Sequence, residues 1–245
     1  MGELEVLIFP TVDALAEAAA RRIADLAGAA ASVRGACLLA LSGGSLPPRV
    51  HRLLVAEPLR GQMPWGSLSV IWADERYVSL DHPDSNYLQA RQTLLDHAPI
   101  PAAQIYPVPT AYPAAAQAAS GYGRQLRALL DAHAGRIDIA VLGMGPDGHT
   151  ASLFPGHPAL DAPEDQLVIA VAGSPKPPST RISLTPAALN RAAAVIFLVA
   201  GADKAAKVRA ALRGPYDPHA TPAQFVRPPG GQVIWMLDAA AASDM

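Results

Sequence analysis

A single cysteine, Cys37, stands in the 245 residues, so an internal disulfide and a cysteine-built zinc cluster are both excluded. It heads the apolar run Cys37–Leu41 and reads as a core residue, in keeping with a reducing, cytoplasmic compartment. Charge is scarce as well. Asp, Glu, Lys and Arg make up 16% of the chain and sum to a net −2, which leaves no basic field to hold a polyanion. Aromatic residues amount to 5% and are not interleaved with Arg or Lys, so nucleic acid is not an expected partner. No run of about 18 apolar residues occurs, and no membrane span is expected. The opening MGELEVLIFP is acidic and carries no small-residue cleavage site, which argues against a secretory leader. There is no internal repeat, and the Ala-rich runs read as helix.

What is present is apolar. At 51% hydrophobic residues the chain can bury one sizeable core, and a single domain over residues 1–245 is expected. Strand-like and helix-like segments alternate. Strands are expected at Val6–Phe9, Cys37–Leu41, Leu68–Ala73, Ile137–Leu142, Leu167–Val171, Ala194–Ala200 and Val233–Leu237, with a segment of unassigned type from Arg181 to Thr185. Helices are expected at Val12–Leu26 behind Thr11 or Asp13, from Pro48 to Leu54, and at Asn86–Leu95, Ala114–Ala132, Pro186–Asn190 and Asp203–Leu212. This order predicts an α/β fold, a mostly parallel sheet with helices on both faces of Rossmann-like type. Proline-rich stretches at 99–113, 175–178 and 215–229 read as loops.

Three of the strand ends carry chemistry. Ile139–Pro155 (IAVLGMGPDGHTASLFP) runs from an apolar strand into a turn with glycines at 143, 145 and 148 and with Asp147 and His149 two residues apart. Those glycines permit positive φ and close approach, and the pair sets a carboxylate beside an imidazole, a group whose unperturbed pKa lies near neutrality. Cys37–Leu41 leads into Ser42-Gly43-Gly44-Ser45 and a proline-started helix, the outline of a phosphate cradle or an ordinary strand-to-helix turn. Leu68–Ala73 ends at Asp74-Glu75-Arg76, either a solvated cap or a ligand-facing set.

Gly143 to Gly148 also matches G-x-G-x-x-G, but no long helix can follow through Phe154-Pro155-Gly156-His157-Pro158, and Asp165 precedes the next strand rather than closing it. Dinucleotide binding is therefore not expected. The chain has no G-x-x-x-x-G-K-[ST], no G-x-S-x-G and no H-E-x-x-H, and no residue set has metal-ligand spacing. Neither a cofactor nor a metal is expected.

The segments Leu41–Pro47, Asp74-Glu75-Arg76 with Asp84-Ser85-Asn86, Leu142–Gly156, Pro175–Arg181 and Gly201–Ala205, in this order, resemble the 6-phosphogluconolactonase family. Glucosamine-6-phosphate deaminases of the same superfamily are similar at several of these points. They carry a Phe-Asn-Glu-Pro run after the DGH turn, where this chain reads Leu153-Phe154-Pro155-Gly156. The resemblance implies hydrolysis of 6-phospho-D-glucono-1,5-lactone, a small phosphosugar lactone, by a cytoplasmic monomer or weak homodimer. It implies that His149 activates water and that Asp147 orients the imidazole or holds a sugar hydroxyl. Substrate would be bound by Ser42, Gly43, Gly44, Asp74, Arg76, Lys176, Arg181 and Lys204. Gly43, Gly44, Arg181 and Lys204 can hold the phosphate, and Arg76 or Lys176 can face the carboxylate that forms. The other readings are the deaminase and a non-catalytic sugar-phosphate sensor. The remaining histidines, 51, 82, 97, 133, 157 and 219, read as surface or structural.

Overall fold

The computed structural model describes residues 3–245. In chain order the strands are β1 (Glu3–Phe9), β2 (Cys37–Leu41), β3 (Leu68–Trp72), β4 (Asp74–Arg76), β5 (Ile137–Gly143), β6 (Val168–Val171), β7 (Arg181–Leu184), β8 (Ala192–Val199) and β9 (Gln232–Asp238). The helices are α1 (Val12–Arg34), α2 (Pro47–Leu54), α3 (Leu59–Gln62), α4 (Asn86–Ala90), α5 (Ala115–Ala132), α6 (Pro186–Leu189) and α7 (Ala205–Arg213). Six strands form one parallel sheet in the order β1-β9-β8-β5-β2-β3. β2 and β3 are buried at every residue, so both faces of this part of the sheet are covered. That is the arrangement continuous apolar strands require.

Helix α1 starts where expected: the Thr11 hydroxyl accepts from Ala14 N–H at 3.1 Å. It runs two turns beyond Leu26, because the alanines that follow favour helix and nothing stops it until Gly35 adopts the left-handed conformation at φ 73°. Apart from Leu15 and Ile23 its buried residues are alanines, at 16, 19, 20, 24, 27 and 30, which lets the helix lie close to the sheet. Cys37 is fully buried; burial, reinforced by the charge of Asp138, pushes its thiol up to about 12. Among the described residues no helix is long and apolar enough to cross a membrane.

One feature departs from the expected layout. Leu68–Arg76 is not a single strand with a charged end. At Ala73 the chain leaves the parallel sheet, its N–H bonded to Leu41 O at 2.7 Å and its carbonyl accepting from Leu184 N–H at 2.8 Å. It then enters a second, antiparallel sheet in the order β4-β7-β6. A three-residue strand made of Asp, Glu and Arg has no hydrophobic alternation from which it could be read. The expected helix at Asn86–Leu95 also divides, into α4 and a π-helical turn over Arg91–Leu95. Here the Thr93 hydroxyl donates to Gln89 O at 2.7 Å.

His51 on α2 is structural, as expected, and sits against Thr93 Oγ1 at 2.8 Å with 3% of its surface exposed. Burial, assisted by the charge of Arg52, lowers its pKa from 6.5 to about 4. Between these two values the unfolded chain binds the extra proton, so the contribution of His51 is fully present above pH 6.5 and is lost as pH falls toward 4. The span corresponds to about 3 kcal/mol. Urea unfolding of the wild type is expected to weaken over this window, and His51→Gln is expected to remove much of the slope; an unchanged slope would show that His51 titrates normally.

Candidate active site

The carboxyl ends of β2, β5 and β8 and the neighbouring β4–β7 pair surround a cavity of about 310 Å³. It is lined by Ser42, Gly43, Gly44, Asp74, Arg76, His149, Lys176, Arg181 and Lys204, so nine of the ten expected site residues converge. Asp147 stands behind the wall. Ligands of open α/β sheets collect at this end of the strands.

The turn after β5 is built around the imidazole. A Cβ on Gly145 would come within 2.2 Å of the His149 ring, so only glycine lets the ring lie there. Gly148 takes φ +90°, whereas Gly143 simply ends the strand and needs no positive φ. Gly145 N–H donates to His149 O at 2.9 Å, and the Thr150 hydroxyl donates to Gly143 O at 2.8 Å. The ring packs against Phe154 at 4.7 Å between centroids. His149 Nδ1 lies 2.5 Å from Asp147 Oδ1, which fixes the Nδ1–H tautomer and leaves Nε2 as the basic nitrogen. Burial alone would raise the Asp147 carboxyl, but hydrogen bonds from the His149 ring and backbone, with the ring's charge, hold it at about 2. This geometry favours the orienting role over a contact with a sugar hydroxyl.

Four cations share the cavity, in two pairs. Arg76 and Arg181 are directly opposite partners in the β4–β7 ladder. Like charges in that position repel. Burial and the charge of Arg76 both lower Arg181, against the opposing pull of Asp74, Asp84 and Glu75. Lys176 and Lys204, two of the chain's three lysines, form the second pair. Burial lowers Lys204, Asp203 opposes this, and Lys176 lowers it further. Arg181 is partly committed: its Nε donates to Pro178 O at 2.7 Å and its Nη2 to Lys176 O at 3.1 Å, so it also holds the Lys176 loop. Arg76 donates through Nη1 to Asp84 O at 2.6 Å, while its buried Nε has no protein partner. Ser42 Oγ is likewise buried without a partner. Paired cations with unsatisfied donors are what an anion-binding cavity requires.

The glycine loop works differently from the expected cradle. Gly44 N–H donates to Gln89 Oε1 at 3.2 Å and is not free for an anion. Gly44 is glycine because its φ is +126°, and Gly43 because a Cβ would strike the Asn86 side chain at 1.9 Å. Pro47 and Pro48 also remove two amides from the start of α2. What the loop offers is the Ser42 hydroxyl and the N–H groups of Gly43, Ser45 and Leu46, for which no protein acceptor is found among the described residues.

Residues missed in the sequence hold the site together. Glu75 is neither a solvated cap nor a ligand. It is 1% exposed and accepts from Asn86 N–H and Tyr87 N–H, each at 2.7 Å, and from Ser85 Oγ at 3.0 Å. It thereby caps α4 from another segment. Burial raises its pKa in spite of these donors. Asp74 accepts from Ser152 Oγ at 2.7 Å, which ties the histidine turn to β4. Asp84-Ser85 is a helix-start signal, and Glu75 and Ser152 lie in segments that the sequence singles out, but no local pattern pairs Glu75 with the α4 amides or Ser152 with Asp74. Among the described residues no group of three or more His, Cys, Asp or Glu could hold a metal ion.

The sequence pattern of the glucosamine-6-phosphate isomerases/6-phosphogluconolactonase family matches residues 10–235. The chain belongs to this family. It is 41% identical over 215 residues to a 6-phosphogluconolactonase of Synechocystis sp., covering 86% of each chain. It superposes on the 6-phosphogluconolactonase of Trypanosoma brucei with a TM-score of 0.85, at 32% identity and 100% coverage of both chains. A monomeric glucosamine-6-phosphate deaminase superposes with a TM-score of 0.81 over 98% of this chain, at 20% identity, and so shares the fold. The fold therefore does not by itself separate a lactonase from a deaminase, and what does must be sought in the side chains of the cavity.

Proposed function

We propose that the chain is a 6-phosphogluconolactonase, hydrolysing 6-phospho-D-glucono-1,5-lactone to 6-phospho-D-gluconate in the oxidative pentose phosphate pathway. The observation that carries this reading is His149, its Nδ1 bound to Asp147 and its ring facing a cavity with four cations. His149 Nε2 takes a proton from water as the water oxygen bonds to the lactone carbonyl carbon. It then delivers that proton to the ring oxygen as the ester C–O bond breaks. The Asp147 carboxylate holds the ring in place and stabilises its charged form. The Arg76–Arg181 pair takes the phosphate dianion, whose oxygens accept from the guanidinium donors not already spent on backbone carbonyls. The Lys176–Lys204 pair faces the anionic oxygen that develops at the carbonyl and persists in the product carboxylate. Asp74, held by Ser152, meets a sugar hydroxyl.

The deaminase reading lacks its acid. After the histidine turn the chain places Phe154 against the imidazole rather than a carboxylate to assist ring opening. Incubation with freshly generated phosphogluconolactone and, separately, with glucosamine 6-phosphate tests the choice: acid release from the first and no ammonia from the second is expected, and ammonia release would overturn it. Tight lactone binding without turnover would instead mark a sensor. The lactone ester is reactive enough for His-activated water alone, so prolonged treatment with EDTA is expected to leave the rate unaltered. Loss of activity restored by a divalent ion would contradict that mechanism. The reading fits a single-domain, cytoplasmic enzyme.

A further inference from the structure

Two non-glycine residues among those described hold a positive φ: Ala134 in the exposed turn after α5, and Ala151, at 48°, in the wall of the catalytic cavity. Ala151 is the first central residue of a turn that Leu153 N–H closes on Thr150 O at 2.9 Å, and Ser152, the second, has no positive φ. Glycine ordinarily takes that position, because it enters the left-handed region without a Cβ clash. The neighbours hold Ala151 there. Thr150 and Ser152 are fully buried, their hydroxyls fixed to Gly143 O and Asp74 Oδ2, and Ser152 N–H donates to Ser183 Oγ at 3.2 Å. Leu153 is fully buried in the core. Of the four turn residues only Ala151 borders the cavity, two residues beyond His149. The turn thus carries backbone strain at one point, and what glycine would lack there is a single methyl group.

We infer that the Ala151 methyl is a specificity-determining contact, which covers one face of the lactone ring and admits only rings that present C–H bonds, not a hydroxyl, on that face. Under the lactonase reading, on which this rests, the cations and Asp74 meet the phosphate, the developing anion and a hydroxyl around the rim of the substrate. They leave the flat of the ring to apolar surface. In a glucono-1,5-lactone the hydroxyls at C2, C3 and C4 are equatorial, so both ring faces consist of C–H bonds. An epimer at one of these carbons turns a hydroxyl axial, on one face for the C2 and C4 epimers and on the other for the C3 epimer. On the covered face that hydroxyl meets the methyl and loses water without gaining a partner. Because Ala151 and His149 share one short segment, the same contact sets the approach of the lactone carbonyl to the base.

Ala151→Gly tests the assignment, because it removes the methyl and relieves the strain at once. Hydrolysis is followed with 6-phosphogluconolactone and with the 6-phospholactones epimeric at C2, C3 and C4, each freshly oxidised from its aldose 6-phosphate. In the variant, kcat/KM for 6-phosphogluconolactone is expected to fall about threefold, the worth of one buried methyl group. Its preference over the C2 and C4 epimers together, or over the C3 epimer alone, is expected to fall at least about tenfold. The melting temperature is expected to hold or rise, the opposite of what loss of a purely structural residue produces. An unchanged preference, equal relaxation toward all three epimers, or a lower melting temperature alongside the lost rate would overturn the assignment and leave the lactonase reading standing. Wild-type hydrolysis no faster than the spontaneous reaction would overturn both.

Discussion

His149→Ala is expected to lower kcat for phosphogluconolactone hydrolysis by about 10²–10⁴-fold while leaving KM nearly unchanged. The imidazole touches only the reacting water and the ring oxygen in the proposed mechanism, whereas affinity resides in the cations and the loop on the other walls of the cavity. The split between kcat and KM therefore discriminates a base from a scaffold. A purely structural role for His149 would depress folding and both constants together, since the ring is packed against Phe154 and under Gly145. Asp147→Asn is expected to show a smaller loss in kcat, because the ring keeps its place but loses the carboxylate that stabilises its charged form. Turnover near that of the wild type in the His149 variant would remove this residue from the mechanism. The spontaneous hydrolysis of the lactone must be subtracted in each case.

Removal of one arginine from the β4–β7 pair is expected to have the second largest effect, and one confined to phosphorylated substrate. Arg76→Ala should cost a charge-assisted contact of roughly 1.5–3 kcal/mol, which is about a tenfold to hundredfold rise in KM. Unphosphorylated gluconolactone should be a poor substrate for both proteins and nearly blind to the change. Arg181→Ala is a less clean probe than it looks in the sequence, because Arg181 also holds the Lys176–Pro178 carbonyls through Nε and Nη2. Its loss is expected to harm both substrates. The free protein should respond in the opposite sense: with the facing positive charge gone, Arg76→Ala should unfold at the same temperature as the wild type or above it. Equal weakening of both lactones by Arg76→Ala would place the phosphate elsewhere.

The parts of this fold that the sequence discloses are those governed by periodicity. Cys37–Leu41 and Ile137–Leu142 are apolar at most positions because parallel strands are buried on both faces, and they lie where expected. The loops that follow them are recognisable by glycine, and glycine proves to be required at Gly44, Gly145 and Gly148. What glycine does there was less legible. At Gly145 it makes room for an imidazole and at Gly43 for an asparagine, neither of which is a ligand. The second sheet escaped notice because β4 is three charged residues long and its partner β7 lies more than a hundred residues away. That pairing sets Arg76 opposite Arg181, so Arg76, which in the sequence is one of two candidates for the carboxylate, is instead proposed beside Arg181 at the phosphate. Glu75 reads in the sequence as part of a solvated cap or a ligand-facing set and is neither: a buried carboxylate that caps a helix start eleven residues on leaves the same letters as an exposed one.

The rate of 6-phosphogluconate formation from freshly generated phosphogluconolactone, followed by a coupled dehydrogenase above the spontaneous background, tests the central claim most directly. The account predicts a rate proportional to protein concentration that falls to background, or within about a hundredth of the wild-type excess, in His149→Ala. A wild-type rate equal to background, or a His149→Ala rate equal to wild type, would contradict it.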